Sequence, residues 1–268
     1  MPQAKDIPQE SKLFAMFVGR YDTGKTTALA SFPGKKYIMD YDERISSLRG
    51  RDDVEYDTFN STKGFKDADD KLTTLNIKSL NRQLPYNMVG LDSLSTLGRA
   101  MIVDAVRLTG GIDPATKKVR GRAIGHLSMP TLQDYGYEFE AVYQLVYEGL
   151  KTLNCNVVMT AHTKDKYKVI TEPGKPPERV CIGETIVGRP ELMAQLPVMF
   201  NEIYYFSKEI NADGSIHRFV EFDGDVARTT YPELAKARKV EITGVGFYNV
   251  WSSLLSSKNT INEEQKKD

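Results

Sequence analysis

Short runs of apolar residues alternate along the chain with segments whose apolar residues recur at helical spacing. The runs predict strands at Leu13–Val18, Lys36–Met39, Asn87–Leu91, Asn156–Thr160, Glu202–Phe206 and Arg218–Phe222. Helices are predicted at Lys25–Ser31 and Phe139–Leu153. Strands that are separated by helices predict a mostly parallel central sheet with helices on both faces, which is a doubly wound α/β fold.

The pattern is continuous enough to predict one domain. The 268 residues contain no internal repeat and no Pro/Gly/Ser linker that would separate two folded units. We expect the domain to span residues 12–256, preceded by a flexible lead-in at residues 1–11. The final segment, residues 257–268 (SKNTINEEQKKD), is predicted to be a polar flexible tail.

Composition excludes several classes of protein. The 36 basic residues equal the 36 acidic residues, which excludes a polycation but leaves room for a local basic patch that binds nucleic acid. Cys155 and Cys181 are too few for a disulfide framework or a zinc site. No apolar run approaches the ~18 residues of a membrane-spanning helix, and the first residues lack the apolar stretch of a signal peptide, so we expect a cytoplasmic protein without membrane contact.

The strongest motif lies directly after the first predicted strand. The segment Gly19-Arg20-Tyr21-Asp22-Thr23-Gly24-Lys25-Thr26 matches G-x-x-x-x-G-K-[ST], the pattern of a phosphate-binding loop between a strand and a helix. Lys25 is predicted to contact the β- and γ-phosphates of ATP, and Thr26 is predicted to bind Mg²⁺. Two alternatives remain open: a turn that binds nothing, or a loop that binds nucleotide without hydrolysis. The candidate nucleotide-binding residues are Gly19, Arg20, Tyr21, Asp22, Thr23, Gly24, Lys25, Thr26 and Thr27.

Carboxylates follow two other predicted strands. Asp92 ends the run Asn87–Leu91 and is the candidate second Mg²⁺ residue, although an Asp before Ser also caps helices. Asp42 and Glu43 follow Lys36–Met39 and are candidates for the acid that orients or deprotonates the attacking water. We favour Asp42; the alternative for both is a solvated loop acid.

Polar residues near two further segment ends are candidates for sensing or stabilising the γ-phosphate. His162 follows the strand Asn156–Thr160 and is the candidate sensor, with Thr160 as a weaker one. Lys236 and Arg238 lie at i and i+2 of a segment predicted to be extended, so both cations would share a face and could act on a neighbouring subunit. The alternatives are a hydrogen-bonded surface residue for His162, and a solvated basic strand edge or helix end for Lys236 and Arg238.

Two segments predicted to be long loops carry local positive charge. Flexible basic loops suit the phosphate backbone of single-stranded DNA, and an aromatic residue among the cations can stack on a base. A pair of solvated loops is the alternative, although loops of this length are often functional. The candidate DNA-binding residues are Lys117, Lys118, Arg120 and Arg122 in Arg107–Pro130, and Lys164, Lys166, Tyr167 and Lys168 in Thr163–Pro190.

The order of these motifs resembles a known family. GRYDTGKTT, KKYIMDYDE, NMVGLDSLS, LQDYGYEFE, NVVMTAHT, GRPELMAQLP and LAKARK follow one another as in compact phage RecA-like P-loop ATPases. Over roughly residues 11–245 the chain is similar to the Sak-type single-strand annealing proteins of bacteriophages. This resemblance implies a RecA-like P-loop NTPase core with ATP and Mg²⁺ as cofactors.

The resemblance also implies a function and roles for individual residues. It implies a DNA-stimulated ATPase of the host-cell cytoplasm that binds single-stranded DNA and promotes annealing or strand exchange. Its expected form is a homo-oligomer, ring or filament, with ATP at subunit interfaces, and a single-strand-binding protein is a further expected partner. Asp42 falls at the catalytic acid, usually Glu, His162 at the sensor, and Lys236 and Arg238 at cations that act in trans. Asp22 departs from the family, because many phosphate loops carry Gly there.

Two other functions remain open at this stage. One is a P-loop motor or switch that acts on a protein partner, such as a helicase loader or a packaging factor, without direct DNA chemistry. The other is a nucleotide-binding structural subunit with little turnover. DNA-stimulated hydrolysis distinguishes the recombination protein from both.

Overall fold

The computed structural model of the chain describes residues 12–113, 115–119, 129–171 and 176–264. The predicted lead-in and the end of the predicted tail lie outside these ranges. Arg120 and Arg122, two of the DNA-binding candidates, also lie outside the described residues.

Strands and helices alternate along the described residues. In chain order they are β1 (Phe14–Gly19), α1 (Lys25–Ala30), β2 (Lys36–Asp40), β3 (Val54–Thr58), α2 (Lys66–Leu80), β4 (Met88–Asp92), α3 (Leu94–Leu108), α4 (Leu132–Gln144), β5 (Asn156–Ile170), β6 (Glu178–Ile186), α5 (Pro190–Met199), β7 (Glu202–Ile210), β8 (Ile216–Glu221), α6 (Pro232–Ala237), β9 (Lys239–Glu241) and α7 (Phe247–Glu264). A π-helical segment, Leu145–Leu150, continues α4, and 3₁₀ turns lie at Ile45–Leu48 and Ser61–Lys63.

One mixed sheet organises these elements. Its strand order is β3-β2-β4-β5-β1-β7-β8-β9, and β6 pairs with the far part of β5. In the sheet, the six strands β3, β2, β4, β5, β1 and β7 pair with one another in the parallel direction. By contrast, β6 pairs with β5, β8 with β7 and β9 with β8 in the antiparallel direction. The predicted α/β fold with a mostly parallel sheet is therefore confirmed, and it is compatible with a Rossmann-like core.

Alternation along the strands explains why helices cover both faces. Met16 and Val18 of β1 face the core with α2, α3 and α5, whereas Ala15 and Phe17 face the core with α1 and α7. Successive side chains of a strand point to opposite faces, so a strand that is apolar on both faces must be covered twice. The same alternation places Asp92 on the face that α1 covers, two residues after Gly90, whose Cα lies against Leu29 of α1.

The carboxyl ends of the central strands meet at one edge of the sheet. Gly19 pairs with His162, and Asp40 pairs with Asp92. Ligands of open α/β sheets bind at this edge. Strand β5 continues beyond it and forms an antiparallel hairpin with β6.

Three of the sequence predictions need correction. The segment Thr163–Pro190 is not a loop, because its described residues form the hairpin arm of β5 with β6. The segment with Lys236 and Arg238 is not extended: Lys236 lies in α6, and Arg238 ends that helix with φ +54°. Helix α7 runs on to Glu264, through the first part of the predicted tail.

In Arg107–Pro130, the other segment predicted to be a long loop, Ile112 and Val119 form an isolated antiparallel bridge.

Candidate functional site

The loop between β1 and α1 depends on glycine at both of its ends. A Cβ on Gly19 would lie 2.2 Å from the backbone oxygen of Phe206. Gly24 has φ +94°, and a Cβ there would lie 2.9 Å from Cδ of Arg218. The backbone of Phe206 therefore leaves no room for a side chain at Gly19, whereas at Gly24 it is the positive φ that favours glycine. This Gly19–Thr26 loop starts at the carboxyl edge of the sheet, as its motif predicts.

Lys25 points its amino group into the Gly19–Thr26 loop. Its side chain is buried, and Nζ donates hydrogen bonds to the backbone oxygens of Gly19 at 2.8 Å and Arg20 at 2.6 Å. Burial lowers the pKa of Lys25 to about 8, although the negative charges of Asp92 and Asp42 oppose that effect. A buried cation is thus held within reach of two carboxylates.

Asp92 is held between hydroxyl groups from two elements. Thr26 of α1 donates to Oδ2 at 2.6 Å, and Thr160 of β5 donates to Oδ1. Both hydrogen bonds can form because β5 lies between β1, which leads to α1, and β4, which ends at Asp92. The capping alternative for Asp92 is not what the structure has, because the residue that precedes α3 is Ser93, joined to Asp92 by a cis peptide bond.

Asp42 and His162 form a direct pair. Nε2 of His162 lies 2.7 Å from Oδ2 of Asp42, and the hydroxyls of Ser93, at 2.9 Å, and Thr96 donate to Oδ1. Burial favours the neutral carboxyl, but the hydrogen bonds from His162, Thr96 and Ser93 outweigh it and lower the pKa of Asp42 to about 2. Asp42 is therefore ionised at neutral pH. Glu43, the other candidate acid, is exposed, with φ +56°.

These groups face one cavity of about 300 Å³. The cavity brings together five of the candidate catalytic and metal-binding residues: Lys25, Thr26, Asp42, Asp92 and His162. Its lining is completed by Tyr21, Asp22, Gly24, Thr27, Arg44, Ser47 and Arg218. A second cavity of about 540 Å³ shares Gly24, Thr27 and Arg218 with the first and extends to the Ile242–Phe247 turn.

The oxygen atoms of Thr26 and Asp92 are a chemically suitable pair for Mg²⁺. Mg²⁺ prefers oxygen ligands and keeps several waters, so it commonly needs only one or two protein groups beside substrate phosphates. Within the described ranges, no group of three or more His, Cys, Asp or Glu side chains is arranged to hold a metal ion. The donor set therefore fits a metal that is shared with a substrate and not a closed protein cage.

The structure does not bring Lys236 and Arg238 to this cavity. Both are exposed, and neither lines it. Their role across a subunit boundary stays a prediction. Arg20 also points elsewhere: its guanidinium pairs with Glu184 of β6 at 2.6 Å and with Asp165 of β5. The Gly19–Thr26 loop is thereby tied to the β5–β6 hairpin.

The hairpin carries four of the DNA-binding candidates in exposed positions. Lys164, Lys166 and Lys168 alternate along β5 and so share one face, while Tyr167 lies on the other face under the guanidinium of Arg179 at 4.2 Å. Lys117 and Lys118 are exposed in the turn between Ile112 and Val119. DNA contact by any of these residues stays a prediction.

Sequence reasoning missed two cations beside the Gly19–Thr26 loop. Lys208 of β7 hydrogen-bonds to Asp22, and Arg218 of β8 lies 3.7 Å from the same carboxylate. Asp22 has φ +61°, a conformation that Gly adopts easily and Asp tolerates. No spacing in the sequence indicates these pairs, because they form only where β7 lies beside β1 and β8 lies beside β7.

One buried acid near the cavity, Asp40, was also not predicted from the sequence. Asp40, at the end of β2, is 1% exposed, and neither carboxylate oxygen makes a hydrogen bond of ordinary geometry to the described residues. Burial raises the pKa of Asp40, the backbone amide of Arg44 opposes that rise, and the charge of Asp92 adds to it. Its position after the apolar run Tyr37–Met39 was the one available signal.

The comparisons with known proteins do not assign a family. No protein-family model and no curated protein matches the chain. Among solved structures that match is that of uncharacterized protein PH0321 from Pyrococcus horikoshii, in complex with an unknown peptide, at 11% sequence identity over 88% of this chain and 90% of that one. The TM-score is 0.40. A likeness at that level carries no argument about the site.

Among the residues that the structure describes, no helix combines the length and apolar character that crossing a membrane requires.

Proposed function

We propose that the chain is an ATP-binding and ATP-hydrolysing protein with a RecA-like P-loop NTPase core that acts on single-stranded DNA. The observation that carries the proposal is the single cavity that Lys25, Thr26 and Asp92 share with the Asp42–His162 pair. Phosphoryl transfer to water needs a cation at the phosphates, oxygen ligands for Mg²⁺ and a group that positions the water. All three kinds of group line this cavity.

Lys25 supplies the charge that binds the phosphates. Its amino group already points along the Gly19–Thr26 loop, where the backbone oxygens of Gly19 and Arg20 hold it. A desolvated cation interacts more strongly with phosphate than an exposed one, because the surrounding dielectric is lower. The phosphates would replace the backbone oxygens as its partners.

Thr26 and Asp92 are the residues that would hold Mg²⁺. When bound, the metal supplies positive charge that neutralises the oxygens of the β- and γ-phosphates. Thr160 keeps the Asp92 carboxylate oriented through its own hydrogen bond. Oriented carboxylate ligands bind metal more effectively than mobile ones, since less side-chain freedom is lost.

Asp42 positions the attacking water. A carboxylate with a pKa of about 2 is ionised throughout the physiological range but is a weak proton acceptor, so its main contribution is orientation. His162 holds one oxygen of the carboxylate, and Ser93 and Thr96 hold the other. His162 is also the residue of β5 directly before the part that pairs with β6, which suits a residue that reports the state of the phosphate to the hairpin.

The second cavity suits the rest of the nucleotide. It shares Gly24, Thr27 and Arg218 with the first cavity and is also lined by the turn Ile242–Phe247. Cavities that bind small molecules are mostly apolar with a few polar groups. Val245 is exposed and provides apolar surface for a base, whereas Ile242 and Phe247 are buried, and the backbone of the turn provides polar groups.

Two features favour DNA as the partner. The face of the hairpin that carries Lys164, Lys166 and Lys168 is exposed, so its charges are accessible to a phosphate backbone. Arg20 connects the opposite face of the hairpin to the Gly19–Thr26 loop. A polyanion on the hairpin and a nucleotide in the cavity would therefore act on one connected structure.

The test is ATP hydrolysis with and without single-stranded DNA, with Lys25→Ala as the blank and Lys66→Ala as the control. Lys66 is an exposed lysine of α2, so its loss should leave the rate unchanged. We expect turnover by the wild-type protein that single strands stimulate, that high salt suppresses, and that Lys25→Ala abolishes. A rate indifferent to DNA would contradict the DNA part of the proposal and favour a protein partner. No turnover under any condition would contradict the whole proposal.

A further inference from the structure

Arg218 reaches the Gly19–Thr26 loop from a distant part of the chain. Its backbone N–H bonds to Oγ1 of Thr243 at 2.8 Å, and its backbone oxygen accepts from Ile242 at 2.8 Å. Its side chain then crosses the loop so closely that a Cβ on Gly24 would meet both Cδ, at 2.9 Å, and Nε, at 3.3 Å. The sheet thus fixes the backbone of Arg218, and the absence of a side chain at Gly24 leaves room for the Arg218 side chain beside the loop.

The guanidinium is only loosely paired. In the part of the chain that the structure describes, its one ion pair is to Asp22, at 3.7 Å, which is longer than a hydrogen bond. Lys208 makes the direct hydrogen bond to Asp22 and holds the pKa of that carboxyl below its ordinary value. Arg218 therefore has donors that Asp22 does not engage.

Arg218 also stands where the two cavities meet, since it lines both of them. In the proposed function the first cavity holds the phosphates and the second holds the nucleoside. A group between the two cavities would therefore face the phosphates nearest the sugar. Guanidinium binds phosphate oxygens through parallel hydrogen bonds, which makes Arg better suited than Lys to such a place.

We propose that Arg218 is a phosphate-binding residue of the nucleotide site, acting within its own chain, and that Asp22 is the anion with which the nucleotide competes for it. The inference rests on the proposed nucleotide-binding function. It differs from the expectation for Lys236 and Arg238, which assigned the additional cations to a neighbouring subunit.

The experiment measures the affinity for ATP, ADP and adenosine in the full chain, by calorimetry in the presence of Mg²⁺. The variants are Arg218→Met, which keeps the stem over Gly24, Arg218→Lys, which keeps the charge, and Asp22→Asn, which tolerates φ +61°. Lys239→Met is the control, because Lys239 is a surface cation of the neighbouring strand β9, paired with Glu209. Thermal unfolding of each variant checks that it is folded.

We expect Arg218→Met to weaken ATP and ADP binding about tenfold to a hundredfold and to leave adenosine binding unchanged. Arg218→Lys should restore part of the loss, and Lys239→Met should have no effect. The loss must also occur in the Asp22→Asn background, because it comes from the phosphate contact. A loss seen only while Asp22 is present would overturn the inference, since Arg218 would then merely neutralise that carboxylate.

The same measurements separate this inference from the proposed function. Binding that Lys25→Met abolishes and Arg218→Met leaves unchanged would overturn only the role of Arg218. Absence of nucleotide binding by the wild-type protein would overturn the proposed function, and this inference with it.

Discussion

The two halves of β5 differ in the surroundings of their polar groups, which are buried in the first half and exposed in the second. From Val157 to Ala161 the strand is buried at the centre of the sheet, and its polar residue Thr160 bonds to Asp92. From Lys164 to Ile170 the strand is largely exposed and pairs with β6 alone. His162 and Thr163 lie at the transition between the halves.

The difference follows from what each half has to do. Chemistry at a phosphate needs groups that are fixed and shielded from water, because their interactions are then strong and their geometry is preset. Binding of a flexible polyanion needs charges that remain accessible, because its main favourable term is the release of counterions. Strand β5 places the shielded groups of the cavity next to the accessible charges of the hairpin. Four experiments test whether the two halves of the strand have these separate roles.

The largest effect is expected from Asp92→Asn. The amide keeps the shape of the side chain but loses the negative charge that attracts Mg²⁺, so ATP hydrolysis should fall by about 10³-fold. The Mg²⁺ concentration for half-maximal activity should rise at the same time. Phosphate release over a Mg²⁺ titration measures both, with Asp104→Asn on α3 as the control. An unchanged Mg²⁺ requirement would remove Asp92 from the metal site.

Asp42→Asn should lower hydrolysis by about 10²-fold while ATP still binds. It should also change stability. The pKa of Asp42 in the folded chain, about 2, is below its ordinary value of 3.8, so the carboxylate contributes stability above pH 4 that is lost as pH falls towards 2.

That contribution is about 2 kcal/mol, from the size of the pKa shift. Denaturant unfolding between pH 2 and pH 7 should therefore be less pH-dependent in Asp42→Asn than in the wild-type protein. Equal pH dependence of the two proteins would show that the Asp42–His162 pair does not form in solution.

Replacement of Lys164, Lys166 and Lys168 by Ala should weaken binding of single-stranded DNA about tenfold or more at low salt. The salt dependence should change with it, since each lost phosphate contact reduces the slope by about 0.7. Fluorescence anisotropy with a labelled oligonucleotide over a salt series measures both quantities. The control replaces Lys63, Lys66 and Lys78, which are exposed on or beside α2. Equal losses in the two triple variants would mean that only net charge matters.

The smallest effect is expected from Asp165→Asn combined with Glu184→Gln. These changes remove both acids that hold Arg20, and they leave the cavity and the hairpin lysines in place. We expect unchanged hydrolysis without DNA, DNA binding at least as tight as in the wild-type protein, and a severalfold smaller stimulation by DNA. Full stimulation would show that the two halves of β5 communicate by another route.

Local sequence determined most of the cavity. The alternation of apolar residues fixed the central strands, and the polar residues at the ends of those strands are assigned to the carboxyl edge by their sequence positions alone. Asp42, Asp92 and His162 were found in this way, Lys25 and Thr26 were found from the loop motif, and all five line one cavity. The reason is that parallel strands bring their carboxyl ends to the same edge of a sheet.

Strands with exposed faces were harder to predict. β3 (VEYDT) does alternate, but it is only five residues long and was not predicted. β6 carries charged residues on both faces, so its sequence lacks the period that marks a half-buried strand. The same weakness explains why the β5–β6 hairpin was predicted as a loop. In the hairpin, pairing with a neighbouring strand and not burial keeps the chain extended.

The sequence by itself determined the α/β fold class, the position of the Gly19–Thr26 loop and the residues at the ends of the strands, because each of these depends on neighbours along the chain. Only the tertiary structure decided that Arg218 and Lys208 meet Asp22, that Arg20 ties the loop to the hairpin, and that Lys236 and Arg238 lie outside the cavity. Those contacts join residues far apart in sequence, and strand order sets them. Strand order depends on how the whole chain packs, so no local pattern contains it.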